Sequence, residues 1–257
     1  MLTIRSDQMR AFQQAAISNY IAELAIHCRW FSPHLVKTLH DDELKVALRQ
    51  GIDLAKSHGF DQRGPVRLYI DTMIVLGSGF GCDPQYPWAA EILAENGEFN
   101  QMVRAKALFA KIQRYLAQVD GVDNVYTRQS LADLATLCRS GVTFRPETLE
   151  PDLLRLMSQT HPRKVAASGN EALRALIADG VTQGREHYGF RETRSLALMV
   201  VLKFTFGHRC DCDPFHPWIA RTLSKSGGAS PDDRAEKLER RALIWLDAVL
   251  SNTAKDA

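Results

Sequence analysis

Apolar residues recur at helical spacing along most of the chain, and the pattern is written twice. "SDQMRAFQQAAISNYIAELAIHC" places Met9, Phe12, Ala16, Tyr20, Leu24 and Cys28 on one face, with Ser6 or Asp7 positioned as a cap. "DDELKVALRQGIDLAKSHG" continues with Leu44, Leu48, Ile52 and Ala55 and stops at Gly59, a residue suited to the position just past a helix end. "PVRLYIDTMIVLG" sets Pro65 near a helix start and Arg67 four residues before Asp71, the spacing of an ion pair on one helix face. "NQMVRAKALFAKIQRYLAQV" and "PDDRAEKLERRALIWLDAVL" are amphipathic at the same period. Their apolar faces are Leu108, Ile112 and Tyr115 in one, and Leu238, Ala242, Trp245 and Val249 in the other.

From Gly59 onward the two halves align without a gap at one constant offset. Gly59 meets Gly189, Phe60 meets Phe190, Leu68 meets Leu198 and Gly77 meets Gly207. The match runs on through Arg104 with Arg234, Leu108 with Leu238, Leu116 with Leu246 and Val119 with Val249. Upstream, Gly51-Ile52 faces Gly180-Val181 after a slip of one residue. Register kept across successive segments is the signature of a repeat. The expected fold is all-α: a tandem duplication of a helical-bundle unit with approximate internal two-fold symmetry. The N-terminal helical repeat would span residues 1–122 and the C-terminal one 123–257, with the seam at the turn formers Asp120-Gly121 and Asp123-Asn124. "SLALMVVLKFTFG" alternates Val200, Leu202, Phe204 and Phe206 like a strand, but its twin has helical spacing, so a buried helix is expected.

One phrase is repeated almost letter for letter: "CDPQYPWAAEIL" from Cys82 and "CDPFHPWIARTL" from Cys212. Asp83 and Asp213 suit a turn cap, and Pro84 and Pro214 hold φ after them. Pro87 and Pro217 restart the chain as short helices carrying Trp88 and Trp218, which Gly97 and Gly227 would stop. These residues read as fold punctuation, with the tryptophans as apolar anchors. As buried anchors they would each cost about 3–5 kcal/mol on truncation to alanine.

The 257 residues are 45% hydrophobic and 24% charged, with net charge +2, which suits a globular chain and carries no basic excess of the kind nucleic-acid binders show. Neither a nucleic acid nor a membrane is expected as a partner. No apolar run reaches membrane-spanning length, and the longest, around Leu196 to Phe206, contains Lys203. The start lacks the basic and apolar regions of a signal peptide, and Cys28, Cys82, Cys138, Cys210 and Cys212 are an odd, sparse set, so reduced thiols in the cytoplasm are expected. His208, Cys210, Cys212 and His216 are zinc-type ligands. However, Cys-x-Cys is tighter than the usual ligand gap, and the matching positions are Ser78, Phe80, Cys82 and Tyr86. A phenylalanine opposite Cys210 points instead to a buried apolar slot. "HDD" at His40-Asp41-Asp42 resembles part of the helical metal-dependent phosphohydrolase signature, but its acids stand where a helix N-terminus wants them. No catalytic, cofactor or metal residues are assigned.

The order "IRSDQ…F", "G…A…HGF", "LGSGFGCDP..PWA..IL" and "R…L" resembles small helical proteins of unassigned activity encoded beside bacterial type VI secretion effectors, their spike-tip proteins and their loading adaptors. The residues carrying it are Gly59, Gly77, Phe80, Asp83, Pro84, Pro87 and Trp88, and Cys210 departs from it in the second half. The resemblance implies a cytoplasmic immunity protein that binds and neutralises a cognate effector toxin without a cofactor. An accessory chaperone for effector or adaptor is the second reading, and a metal-dependent hydrolase using His208 and Cys212 the third. The connectors "GSGFG" and "GHRCD" differ most between the halves, and His208, Arg209 and Asp211 are the expected partner-binding residues.

Overall fold

Helices begin and end where the sequence supplies caps, prolines and glycines. A computed structural model describes residues 6–94, 100–224 and 228–253. The first six helices are α1 (Ser6–Phe31), α2 (Pro33–Val36), α3 (Asp41–Ser57), α4 (Arg63–Leu76), α5 (Pro87–Ala94) and α6 (Gln101–Val119). After a turn follow α7 (Val125–Ser140), α8 (Leu149–Thr160), α9 (Pro162–Ser168), α10 (Asn170–Glu186), α11 (Thr193–Phe206), α12 (Pro217–Leu223) and α13 (Pro231–Thr253). Among the described residues there is no strand, so the fold is all-α. Short 3-10 turns at Phe80–Cys82 and Cys210–Cys212 precede α5 and α12.

His40-Asp41-Asp42 is a helix start: the His40 N–H donates to Glu43 Oε2 at 3.0 Å, and Asp41 accepts from Arg29 at 2.8 Å. Gly59 ends its helix at φ 72°, as its place past α3 requires. Pro87 and Pro217 open α5 and α12. The turn between α6 and α7 falls at Asp120–Asn124, where Gly121, Asp123 and Asn124 all have positive φ. The strand-like alternation of Val200 to Phe206 belongs to α11, which is apolar nearly all round and is buried over most of its surface. Two positions expected to stop α5 and α12, Gly97 and Gly227, lie outside the described residues.

Buried side chains form two clusters. One is drawn from α1 to α6 together with Phe215, the other from α7 to α13, and Trp245 packs against both. Close helix contacts hold each: a Cβ on Gly51 would meet Ile70 of α4 at 2.9 Å, and one on Gly180 would meet Val200 of α11 at 2.8 Å. Across the clusters, α9 lies on α6 and α2 lies on α13.

Two local expectations need correction. The α1 stripe is buried only from Leu24 and Cys28 onward. Tyr20 is half-buried, and Met9, Phe12 and Ala16 face solvent, because α1 runs past the bundle. Asp71 is held by His27 Nε2 at 2.7 Å, a partner from α1, rather than by Arg67. Pro65 lies in the first turn of α4, near the helix start as expected.

Trp88 and Trp218 are half-buried, packed on the edges of the first and second clusters respectively. Each also keeps ring contacts, Trp88 with Tyr86 and Tyr115, and Trp218 with Phe206. With part of each indole already in water, Trp88→Ala and Trp218→Ala are expected to cost about 2 kcal/mol each, less than a fully buried aromatic. Urea denaturation checks this; a loss above about 4 kcal/mol would show full burial.

Candidate functional site

The two connectors that follow α4 and α11 meet each other. α4 ends at Gly77 (φ 90°) and α11 at Gly207 (φ 95°). These glycines lie back to back: a Cβ on Gly77 would sit 3.1 Å from the Gly207 Cα, and one on Gly207 would sit 3.1 Å from the Gly77 Cα.

Each connector is tied to the other by its aspartate. Asp83 Oδ1 accepts from the Gln85 N–H at 2.8 Å, closing a local turn, while Oδ2 accepts from the His208 N–H at 2.8 Å. Asp213 repeats the arrangement, with the Phe215 N–H at 2.8 Å and the Ser78 N–H at 2.7 Å. Both carboxylates are buried. The turn-capping role expected of them is present, and the reach across to the opposite connector is added to it. Burial pushes the Asp83 carboxyl up from its ordinary range, against the pull of the Gln85 and His208 N–H groups and of Lys164.

Position by position the connectors then diverge. Gln85 sends its amide to the Lys203 carbonyl at 3.4 Å, whereas its counterpart Phe215 fills the first apolar cluster. Phe80 and Cys210 occupy equivalent, fully buried slots. Lys164 of α9 buries its ammonium between the rings of Tyr86 and Phe204, donating to the Phe204 carbonyl at the end of α11. That carbonyl end is the negative pole of the helix. Burial lowers the Lys164 pKa to about 8, opposed by Asp83 and Asp120. Neighbouring His161 is lowered to about 4, by burial first and then by Lys164.

The three expected partner-binding residues have different fates. His208 is bound through its backbone, its N–H to Asp83 and its carbonyl to Lys203 Nζ at 2.8 Å. Asp211 accepts from Tyr188 Oη at 2.6 Å and Gln183 Nε2 at 2.9 Å, so it is an internal hub. Arg209 alone of the three is exposed. It stands over Gly79, at a cleft of about 390 Å³ walled by Gln50, Asp53, Leu54 and Ser57 of α3 with Ser78, Cys212 and Pro214.

The residues first considered as metal ligands are not brought together. Cys210 is buried, Cys212 is exposed beside Arg209, and His216 lies against Phe206 and Trp245. Among the described residues no group of three His, Cys, Asp or Glu side chains converges as a metal ion would need. Burial also raises the thiols of Cys82, Cys210 and Cys212, the opposite of the shift that makes a nucleophilic thiolate.

Sequence reasoning missed Lys164, Gln85 and the α3 wall of the cleft. Lys203 left a signal, a lone charge in an apolar run; it is 2% exposed and paired with Asp179 at 2.7 Å. No protein-family model matches the chain, and no curated protein or solved structure matches it.

Proposed function

We propose that this chain is a duplicated binding protein that captures another protein, acting as a cytoplasmic immunity protein for a type VI secretion effector toxin. The observation that carries the reading is Arg209, exposed at a cleft whose surrounding connector is tied down by internal bonds. A rigid frame presenting one exposed arginine beside an acidic wall residue, Asp53, suits recognition of a partner surface. Exposed Trp30 (80%) and Ile26 (68%), one turn apart on α1, add apolar contact area of the kind such surfaces use. The resemblance to helical proteins of effector loci supplies the identity of the partner.

The same reading takes residues 1–122 and 123–257 as two copies of one ancestral unit in approximate two-fold relation. Support comes from the reciprocal bonds of Asp83 and Asp213, the back-to-back glycines, and the paired crossings of α9 on α6 and α2 on α13. Repetition supplies the frame, and divergence of one connector supplies the binding group.

Co-expression is expected to rescue cells from the toxin encoded beside this gene through a stable complex, with the toxin covalently unchanged. Arg209→Glu should weaken that complex by about tenfold or more with the melting temperature unaltered. Asp211 is unsuitable for the same test, because removing it also frees Tyr188 and Gln183. Failure of rescue together with loss of effector export on deletion would replace this reading by the accessory-chaperone one.

A further inference from the structure

The groove between α4 and α6 is open, whereas the matching groove between α11 and α13 is filled. The filled one is lined by Arg194, Ala197, Leu198 and Val201 of α11, the aligned counterparts of Gly64, Arg67, Leu68 and Asp71 that line the open one. α7 lies over the filled groove, burying Leu134 and Ala135, and its end is pinned by the Arg139–Asp247 ion pair. The space left beneath is about 50 Å³, against about 460 Å³ in the open groove. On the open side Met102 and Phe109 of α6 face solvent, 41% and 51% exposed.

The segment that should occupy the open groove is present but points elsewhere. α8 packs on α10 and α11 as the C-terminal part of α1 packs on α3 and α4. Ahead of α8 the chain turns back through Gly141 (φ 69°) and Pro146 to place α7. α1 has neither glycine nor proline anywhere between Ser6 and Phe31, so it continues straight. It leaves the bundle at Tyr20, whose hydroxyl meets the Arg63 carbonyl at the first residue of α4. Residues 7–19 then run on exposed for about 20 Å. Their apolar stripe, Met9, Phe12 and Ala16, has the same i, i+3, i+7 spacing as Leu131, Leu134 and Cys138 of α7.

We infer that the protein forms a closed two-fold homodimer in which the N-terminal half of each α1 lies in the α4–α6 groove of the other copy. A straight helix without a hinge cannot fold back onto its own bundle, and the stripe it presents is spaced like the one that fills the sister groove. A second copy therefore supplies in trans what α7 supplies in cis, the economy of a domain exchange. The inference uses the correspondence between the halves proposed above as its template, and is independent of toxin binding.

Sedimentation and light scattering of the purified protein across a dilution series test it. Wild type is expected to be a dimer. Phe12→Asp on the helix and Phe109→Asp in the groove should each give a monomer of unchanged helicity, since both side chains are solvent-facing within one copy. Mixed in equal amounts, the two variants should recover dimer, because one of the two seatings is then intact. A monomeric wild type, a dimer indifferent to either substitution, or species that keep growing with concentration would each overturn the closed exchange. Leu134→Asp checks the template separately: it should lower the melting temperature by loosening α7 while leaving the dimer in place. No thermal effect would remove the template without touching the dimer result.

Discussion

Gly207→Ala is expected to destabilise the protein by about 4 kcal/mol, a large effect for a single methyl group. Two costs add. Gly207 has φ 95° and ψ 162°, a region open in practice only to glycine, where a side chain costs about 1–3 kcal/mol. The new Cβ would also lie 2.6 Å from the Leu76 carbonyl oxygen, and this neighbour is backbone, so relief requires α4 and α11 to separate at about 1–3 kcal/mol more. Gly77→Ala meets the Phe206 carbonyl oxygen more closely still, at 2.3 Å, and should cost at least as much. The two changes act on one contact, so the double variant should lose less than the sum. Gly141→Ala is the control: its φ is 69°, but no atom lies within 4 Å of the added carbon, so only the local strain of about 1 kcal/mol remains. Urea denaturation measures all four. A loss below about 1 kcal/mol for Gly207→Ala would mean that the connectors do not cross as described.

That contact also marks the boundary of what the sequence could disclose. Repetition made the element order legible, and it corrected the one segment whose local pattern misled: Val200 to Phe206 alternates like a strand, and its twin from Ile70 to Leu76 identified it as a helix. Alignment singled out Gly77 and Gly207, Asp83 and Asp213 as equivalent pairs. It did not disclose that the members of each pair serve each other, because equivalence within a repeat carries no information about proximity between its copies. Asp83 reads locally as a turn cap and is one; its bond to the His208 N–H depends on a residue distant in sequence. The α1 stripe misled for a related reason. Helical periodicity shows that a face is apolar and says nothing about whether the covering surface lies in the same molecule. Of the residues expected to meet a partner, Arg209 is exposed, but side-chain direction within a 3-10 turn has no sequence signal, and Asp211 points inward to Tyr188 and Gln183.

The connector crossing is held by the two buried aspartates. Buried polar groups constrain a fold most when each has a partner, since an unsatisfied one costs about 1–3 kcal/mol. Asp83 and Asp213 each satisfy backbone N–H groups in both connectors, so the crossing persists whatever the remaining side chains become. Gly79 and Arg209 are equivalent positions in contact with each other, and the missing side chain at one makes room for the long side chain at the other.

Lys164 makes stability depend on alkaline pH. Its ammonium is buried, and burial lowers its pKa to about 8 from an ordinary value near 10.5. Below pH 8 both folded and unfolded chains hold the proton, and the fold bears the full cost of burying the charge. Between about pH 8 and 10.5 the unfolded chain still holds it while the folded one releases it, so this group raises stability as pH rises, by about 3 kcal/mol across the window. Buried thiols work the other way: Cys28 is raised to about 12 and Cys138 to about 11, so these favour the fold less as pH climbs past the ordinary thiol range. Comparison with Lys164→Met cancels that shared term. Of the groups facing the ammonium, His161 is already neutral throughout, and Tyr86 and Tyr115 are raised beyond the window. Asp83 and Asp120 are also raised by burial, against the pull of the Lys164 charge. Urea denaturation of both proteins at pH 7.5 and 10.5 should therefore show the wild type gaining about 3 kcal/mol relative to the variant. An unchanged difference would place the Lys164 ammonium in water rather than between the Tyr86 and Phe204 rings.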